Sequence, residues 1–216
     1  MKQFPFPDRI TARDELTHDV LYKKIPEEER VRICDEAWQV GVDAARREMA
    51  EDPDGNIYEL AKANGLQIIR ERVDKVSGGL RFFSEYTPNK SRIDVYVLSI
   101  RLFAKNNHLT EEEAEELILA HEFFHFLEEN KIGDTSQIYT IPRVTIGSLK
   151  IGKSGIRALS EIGAHGFART YWEISHGEAQ LSSGNVTSYN NSMEARMIRG
   201  KHDADQLMSF MFGKKK

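Results

Sequence analysis

Several features that mark other protein classes are scarce in this chain of 216 residues. Cys34 is the single cysteine, so no internal disulfide can form, which is typical of proteins from a reducing compartment. Apolar runs are short, and residues 1–8 contain two prolines and no apolar segment of the kind that signal peptides carry. These absences predict a cytoplasmic protein without a membrane span.

Neither sign of charge dominates the composition. The chain has 30 lysines and arginines against 34 aspartates and glutamates, a formal net charge of −4. A dedicated nucleic-acid-binding domain carries a clear excess of basic residues, so we expect no direct binding of nucleic acid. The hydrophobic fraction of 40% is that of a globular protein with its own core.

The order of predicted elements indicates an α+β fold, because the strands are grouped rather than alternating with helices. Hydrophobic periodicity and turn residues predict helices at residues 26–52 and 56–64, strands at 66–72, 80–85 and 92–98, and helices at 110–131, 156–174 and 192–212. We expect a small antiparallel or mixed sheet packed on helices. Residues 1–52 are predicted to be an N-terminal extension and helix, and residues 53–216 the main domain with a C-terminal helix.

The strand predicted at residues 92–98 alternates in polarity. Ile93 and Val95 lie on one side, and Asp94 and Tyr96 on the other. This pattern predicts a strand with one face in water. If its edge is exposed, an extended peptide could pair with it.

The helix predicted at residues 110–131 contains the pattern HExxH, formed by His121, Glu122 and His125. Histidines four residues apart share one face of a helix, so their imidazoles can bind one zinc ion. Glu122 lies about 100° around the helix from His121. From there it can take a proton from a water molecule without binding the metal itself. The motif therefore predicts a zinc site with Glu122 as the general base.

A catalytic zinc ion usually has three protein ligands, so the histidine pair needs a third residue. Glu161 is the main candidate, because it lies on the helix at 156–174 among small residues that permit a close approach between helices. Asp134, in the loop after the motif, is the alternative. His165, one turn beyond Glu161, is a candidate for hydrogen bonding to a ligand or to the water.

Glu128 and Lys131 exclude the metzincin class of protease, which has glycine and histidine at these two positions. Glu128 lies about 10 Å along the helix axis from His121, too far to complete the site from the same helix. We therefore expect Glu128 to be a solvated carboxylate at the end of the helix.

Residues 118–125 (ILAHEFFH) and 161–168 (EIGAHGFA) together resemble the paired motifs of the ImmA/IrrE family of zinc metallopeptidases. The likeness extends over residues 56–175. Within the two motifs the chain departs from the family pattern at two positions, and the Leu-Met-Pro that usually follows the second motif is absent. Phe124 stands where glycine is frequent, and His165 stands where a small polar residue is usual.

This resemblance implies a zincin-like fold of the gluzincin type and a metalloprotease activity. One Zn²⁺ would be bound by His121, His125 and Glu161, with Glu122 as the catalytic base. The implied substrate is a protein or peptide, such as a helix-turn-helix transcriptional regulator. One alternative is a non-catalytic zinc-containing module that binds such a regulator. Another is a metal-dependent hydrolase of small molecules or peptides. An intact Glu122 favours the enzyme, because a structural zinc site has no use for a base.

Catalysis also requires a second donor to the oxyanion that forms on the substrate carbonyl. The sequence offers Tyr139, His165 and His176 for this role without deciding between them. The polar residues 176–191 are a candidate lid over the site.

Overall fold

Helices dominate the computed structural model, which describes residues 4–51, 56–146 and 149–177. Among these residues the α-helices are α1 (Glu15–His18), α2 (Glu27–Glu51), α3 (Ile57–Ala63), α4 (Val97–Asn107), α5 (Glu111–Leu127) and α6 (Arg157–His176). The helices predicted at 26–52, 56–64 and 156–174 are confirmed to within two residues at each end. The predicted helix at 192–212 and nearly all of the predicted lid lie outside the described residues. Within the described part of the chain, no helix is both long enough and apolar enough to cross a membrane.

Helix α5, which contains the HExxH pattern, begins with a capping box. The Thr110 side chain accepts a hydrogen bond from the Glu113 backbone N–H, and the Glu113 side chain accepts one from the Thr110 backbone N–H. At its other end α5 continues into a π-helical turn, Glu128–Ile132, which ends at Gly133. The predicted span is confirmed, but the last turn has a wider helical geometry than the pattern implied.

Within the described residues, the strands form one three-stranded sheet and three smaller pairs. They are β1 (Gln67–Glu71), β2 (Lys75–Ser77), β3 (Leu80–Phe82), β4 (Ser84–Thr87), β5 (Arg92–Tyr96), β6 (Thr140–Ile141), β7 (Val144–Ile146), β8 (Leu149–Ile151) and β9 (Ser154–Gly155). In the largest sheet, β5 lies between β1, to which it is parallel, and β4, to which it is antiparallel. The other pairs, β2–β3, β6–β9 and β7–β8, are antiparallel. The predicted α+β class with a small mixed sheet is confirmed.

The central position of β5 makes two predictions wrong. Both of its edges are paired, so the strand at residues 92–98 has no exposed edge for a peptide; β4 is the edge strand on that side of the sheet. Its polar face is not in water either, because Asp94 is 6% and Tyr96 3% exposed. Arg92 donates to the Asp94 carboxylate at 2.8 Å, and the Tyr96 hydroxyl donates to Glu85 at 3.0 Å. These partners offset part of the cost of burying the polar face, and Asp94 Oδ1 has no hydrogen-bond partner among the described residues.

The predicted strand is also too long. Val97 and Leu98 belong to helix α4, which was not predicted. Apolar residues in short runs fit a buried strand and a buried helix equally well, and here the packing of Ile100 and Phe103 into the core favours the helix.

Residues on both sides of the predicted boundary at position 52 share one core. Phe4 and Phe6 from the N-terminal segment and Ala45 from α2 lie in the same buried cluster as Ile57 and Phe123. The N-terminal extension is therefore packed against the helix that contains the HExxH pattern.

Glycines allow α2 and α6 to approach very closely. A Cβ atom added to Gly41 of α2 would fall on the carbonyl oxygen of Gly163 and lie 2.7 Å from the backbone nitrogen of Phe167. On α6, a Cβ atom on Gly166 would lie 2.5 Å from the Trp38 carbonyl oxygen. Because these contacts involve backbone atoms, no side-chain rotation can relieve them.

We expect Gly41→Ala to destabilise the protein by about 1–3 kcal/mol, the usual cost of overpacking a filled interior. For a chain of this size, this corresponds to a melting temperature lower by about 3–10 °C, measured by thermal unfolding. Val31→Ala, at an exposed position of the same helix, is the control and should leave the melting temperature almost unchanged. Equal melting temperatures for the two variants would contradict the close approach of α2 and α6.

Candidate metal centre

Helices α5 and α6 bring the three predicted metal ligands together. His121 Nε2 lies 3.2 Å from Glu161 Oε2, and His125 Nε2 lies 3.8 Å from Glu161 Oε1. One nitrogen or oxygen atom from each of the three residues lies within 4.8 Å of the others. Both histidines are buried and the Glu161 side chain is 27% exposed, and the group could hold a metal ion.

The approach of α6 to the motif depends on a glycine. The Phe124 ring lies directly over Gly163, where an added Cβ atom would be 2.6 Å from Phe124 Cζ. Because Gly163 has no side chain, α6 leaves room for the Phe124 ring of the HExxH pattern. This pairing lets Glu161 reach the histidines despite the bulk of Phe124.

Burial and neighbouring charged groups shift the pKa values of all three residues. His121 is fully buried, and burial together with the neighbouring His165 and His125 lowers the pKa of His121, which favours the neutral imidazole that binds metals. Burial raises the pKa of Glu161, so its ionised form gains from a nearby cation. Burial opposes protonation of His125, but its hydrogen bond with Glu128 and the nearby carboxylates raise the pKa of His125 overall. Two imidazoles and a carboxylate in this setting fit a divalent cation.

Glu122 lies beside the group but is not a member of it. Its side chain is buried, and its Oε1 atom accepts a hydrogen bond of 2.8 Å from the Ser84 hydroxyl. Ser84 is fully buried and is the first residue of the edge strand β4. The sheet thus positions the carboxylate that the sequence predicts to be the base. Ser84 lies 38 positions before Glu122, and nothing in the sequence around either residue indicates that their side chains are in contact.

The N-terminal segment and His165 pack beside His121. The His165 ring centroid is 5.0 Å from that of His121, and the Phe6 ring centroid is 5.5 Å from that of His165. His165 Nε2 also lies 3.8 Å from Glu15 Oε1. The sequence pointed to His165, whereas nothing in it indicated that Phe6 or Glu15 would lie here.

Asp134, the alternative third ligand, lies outside the group of potential ligands. Its Oδ1 atom accepts a hydrogen bond of 2.9 Å from the Ser136 backbone N–H and caps the 3₁₀ turn Thr135–Ile138. The carboxylate is therefore used to start a helical turn.

The prediction for Glu128 is wrong. Glu128 is 2% exposed, and its Oε2 atom lies 2.9 Å from His125 Nδ1. A carboxylate at the end of an isolated α5 would be solvated, but here α6 covers that end of the helix. A signal was present, because a residue three positions beyond a histidine lies on the same face of a helix.

Of the candidate oxyanion donors, His176 lies away from the three potential ligands. His176 is fifteen residues beyond Glu161 on α6, about 22 Å along the axis, and stacks on Trp172 at a centroid distance of 3.8 Å. Tyr139 packs against a second buried hydrophobic cluster, which includes Ile141, Ile156 and Ile162, the residue after Glu161.

Comparison of the chain with protein-family models, curated proteins and solved structures gave no match.

Proposed function

We propose that the protein is a zinc-dependent endopeptidase with a zincin-like active site. The observation that carries this proposal is the position of Glu122. Its carboxylate is buried beside the group of His121, His125 and Glu161, stays outside that group, and is held by Ser84. A base beside a metal, rather than on it, is the arrangement needed to activate water.

The donor set supports zinc as the metal. Catalytic zinc sites with two histidines and one glutamate are common, and they leave a fourth position open, whereas structural zinc sites usually have four protein ligands. Among the described residues the potential ligand group has three members. When bound, zinc would supply Lewis acidity toward a water molecule and the scissile carbonyl.

The protein's own groups would carry the proton transfers. Glu122 would take a proton from the attacking water as the oxygen forms its bond to the carbonyl carbon. The same carboxyl group would then give that proton to the amine as the carbon–nitrogen bond breaks. The Ser84 hydroxyl, which donates to Oε1, would hold the carboxylate in place throughout.

His165 is our choice for the second donor to the oxyanion. Its ring adjoins that of His121, whereas His176 lies far along α6. The substrate would lie extended along β4, because β4 is an edge strand and Ser84, its first residue, reaches Glu122.

A helix-turn-helix regulator is the proposed substrate class. The support for it is the resemblance of residues 118–125 and 161–168 to the ImmA/IrrE motifs. The buried base and the metal-binding group support peptide-bond hydrolysis independently of that resemblance.

Removing the metal should abolish hydrolysis. We expect the zinc-loaded protein to cleave bonds in a mixture of unfolded proteins and in candidate regulators, with the new chain ends identified by mass spectrometry. A zinc chelator should reduce cleavage to background, and stoichiometric zinc should restore it, because the metal provides the Lewis acid.

Two results would argue against this function. Cleavage that persists after zinc has been removed would contradict a metal-dependent reaction. If the protein binds zinc and a regulator but cleaves neither the unfolded proteins nor the candidate regulators, the result would favour a non-catalytic module.

A further inference from the structure

The Glu128 carboxylate is buried at a point where the chain changes its helical geometry. It is 2% exposed and is the first residue of the π-helical turn Glu128–Ile132. Such turns interrupt α-helices rarely and are frequent at functional sites. A carboxylate removed from water in this way must be compensated by hydrogen bonds.

Both oxygen atoms of Glu128 have partners from different parts of the fold. Oε2 lies 2.9 Å from His125 Nδ1 and accepts a hydrogen bond from the Ser160 hydroxyl. Oε1 accepts a hydrogen bond of 3.0 Å from the Thr135 backbone N–H. Ser160 immediately precedes Glu161, so this carboxylate ties one predicted ligand to the helix that provides another.

An ionised carboxylate only accepts hydrogen bonds, so the contact requires a proton on His125 Nδ1. In the neutral imidazole this leaves the lone pair on Nε2, the nitrogen that faces Glu161. His121 has no equivalent support, since its Nδ1 atom has no hydrogen-bond partner among the described residues. The two histidines therefore differ in how their rings are held.

We propose that Glu128 is a positioning residue that fixes the tautomer and orientation of His125 so that Nε2 can bind the metal. This inference rests on the proposed zinc site. In other proteins, carboxylates that accept a hydrogen bond from a metal-binding histidine orient the ring and increase its basicity, and removing them lowers metal affinity about 10–100-fold.

The tautomer of His125 is the first test. Nitrogen NMR of the metal-free wild-type protein, recorded at alkaline pH where the imidazole is neutral, should show the proton on Nδ1. A proton on Nε2 would overturn the proposal without any substitution.

The second test measures zinc affinity by competition with a chromophoric chelator. We expect Glu128→Gln to weaken zinc binding about 10-fold and Glu128→Ala about 100-fold, while zinc still binds. The absorption bands of the cobalt-substituted Glu128 variants should also shift, because the geometry of a ligand changes. A residue with a purely structural role would alter the melting temperature and leave these bands in place.

Glu129→Gln is the matched control. It removes the same charge one residue further on, where Glu129 accepts from the Tyr86 hydroxyl at 2.9 Å. Zinc affinity should stay at the wild-type value in this variant. If the Glu128 variants also bind zinc with wild-type affinity, the positioning role is wrong and the zinc site stands. If the wild-type protein binds no zinc, the proposed function itself is wrong.

Discussion

Replacing Glu122 by glutamine should slow peptide-bond hydrolysis by about 10²–10⁴-fold, the usual contribution of a general base. The amide has the size of the carboxylate but does not take a proton from water. Its carbonyl oxygen can still accept the hydrogen bond from Ser84, so the packing around the side chain should survive. We therefore expect zinc content and melting temperature close to the wild-type values. The measurement is the rate of cleavage of one peptide by both proteins, together with elemental analysis.

Glu112→Gln is the control for this substitution. Glu112 is an exposed glutamate on the same helix, about 15 Å along the axis from Glu122, and its replacement should leave the rate unchanged. If the Glu122→Gln variant cleaves the peptide at the wild-type rate, Glu122 is not the general base. Loss of zinc together with activity would show that Glu122 supports the metal instead. If the protein acts only by binding a regulator, the Glu122→Gln variant should keep its effect on that regulator in cells.

Replacing a metal ligand should remove the zinc ion itself. We expect about one zinc per chain in the wild-type protein, the stoichiometry of a single three-ligand site, and background zinc in His125→Ala and Glu161→Ala. Each substitution removes one of the three groups whose ligand atoms lie within 4.8 Å of one another. Elemental analysis of the purified variants measures the change directly.

Asp134→Ala is the control for the ligand substitutions. Asp134 caps a helical turn, so its loss should cost some stability and leave the zinc content intact. If Asp134→Ala loses zinc while Glu161→Ala keeps it, the third ligand is Asp134 in the loop. Equal zinc in wild type and His125→Ala would show that the HExxH pattern is not the metal site.

Much of the helical structure could be predicted because its signals are local. The capping residues Thr110 and Glu113 are three positions apart, and the acidic first turn of α2 follows directly after Pro26. The sheet was harder, because the predicted strand at residues 92–98 has the same pattern whether it lies at an edge or in the centre. Its position between β1 and β4 depends on pairing with strands far away in the chain.

The candidate site divides in the same way. His121, Glu122 and His125 are related by helical periodicity, so their mutual arrangement follows from residues within one and a half turns. Glu161 could be proposed as the third ligand from the ligand count and the small residues around it, and the structure places it beside both histidines. Glu128 was misjudged because its burial depends on Ser160 and Thr135, which lie on other elements.

By itself the sequence determined the α+β class, the main helices and the histidine pair with its adjacent glutamate, because each depends on spacing along a single segment. Only the tertiary structure decided that β5 is central, that Ser84 holds Glu122 and that Phe6 adjoins His165. The physical reason is that these contacts join residues far apart in the chain. Such contacts form when whole helices and strands pack together, and here the packing of α6 depends on Gly41 and Gly163.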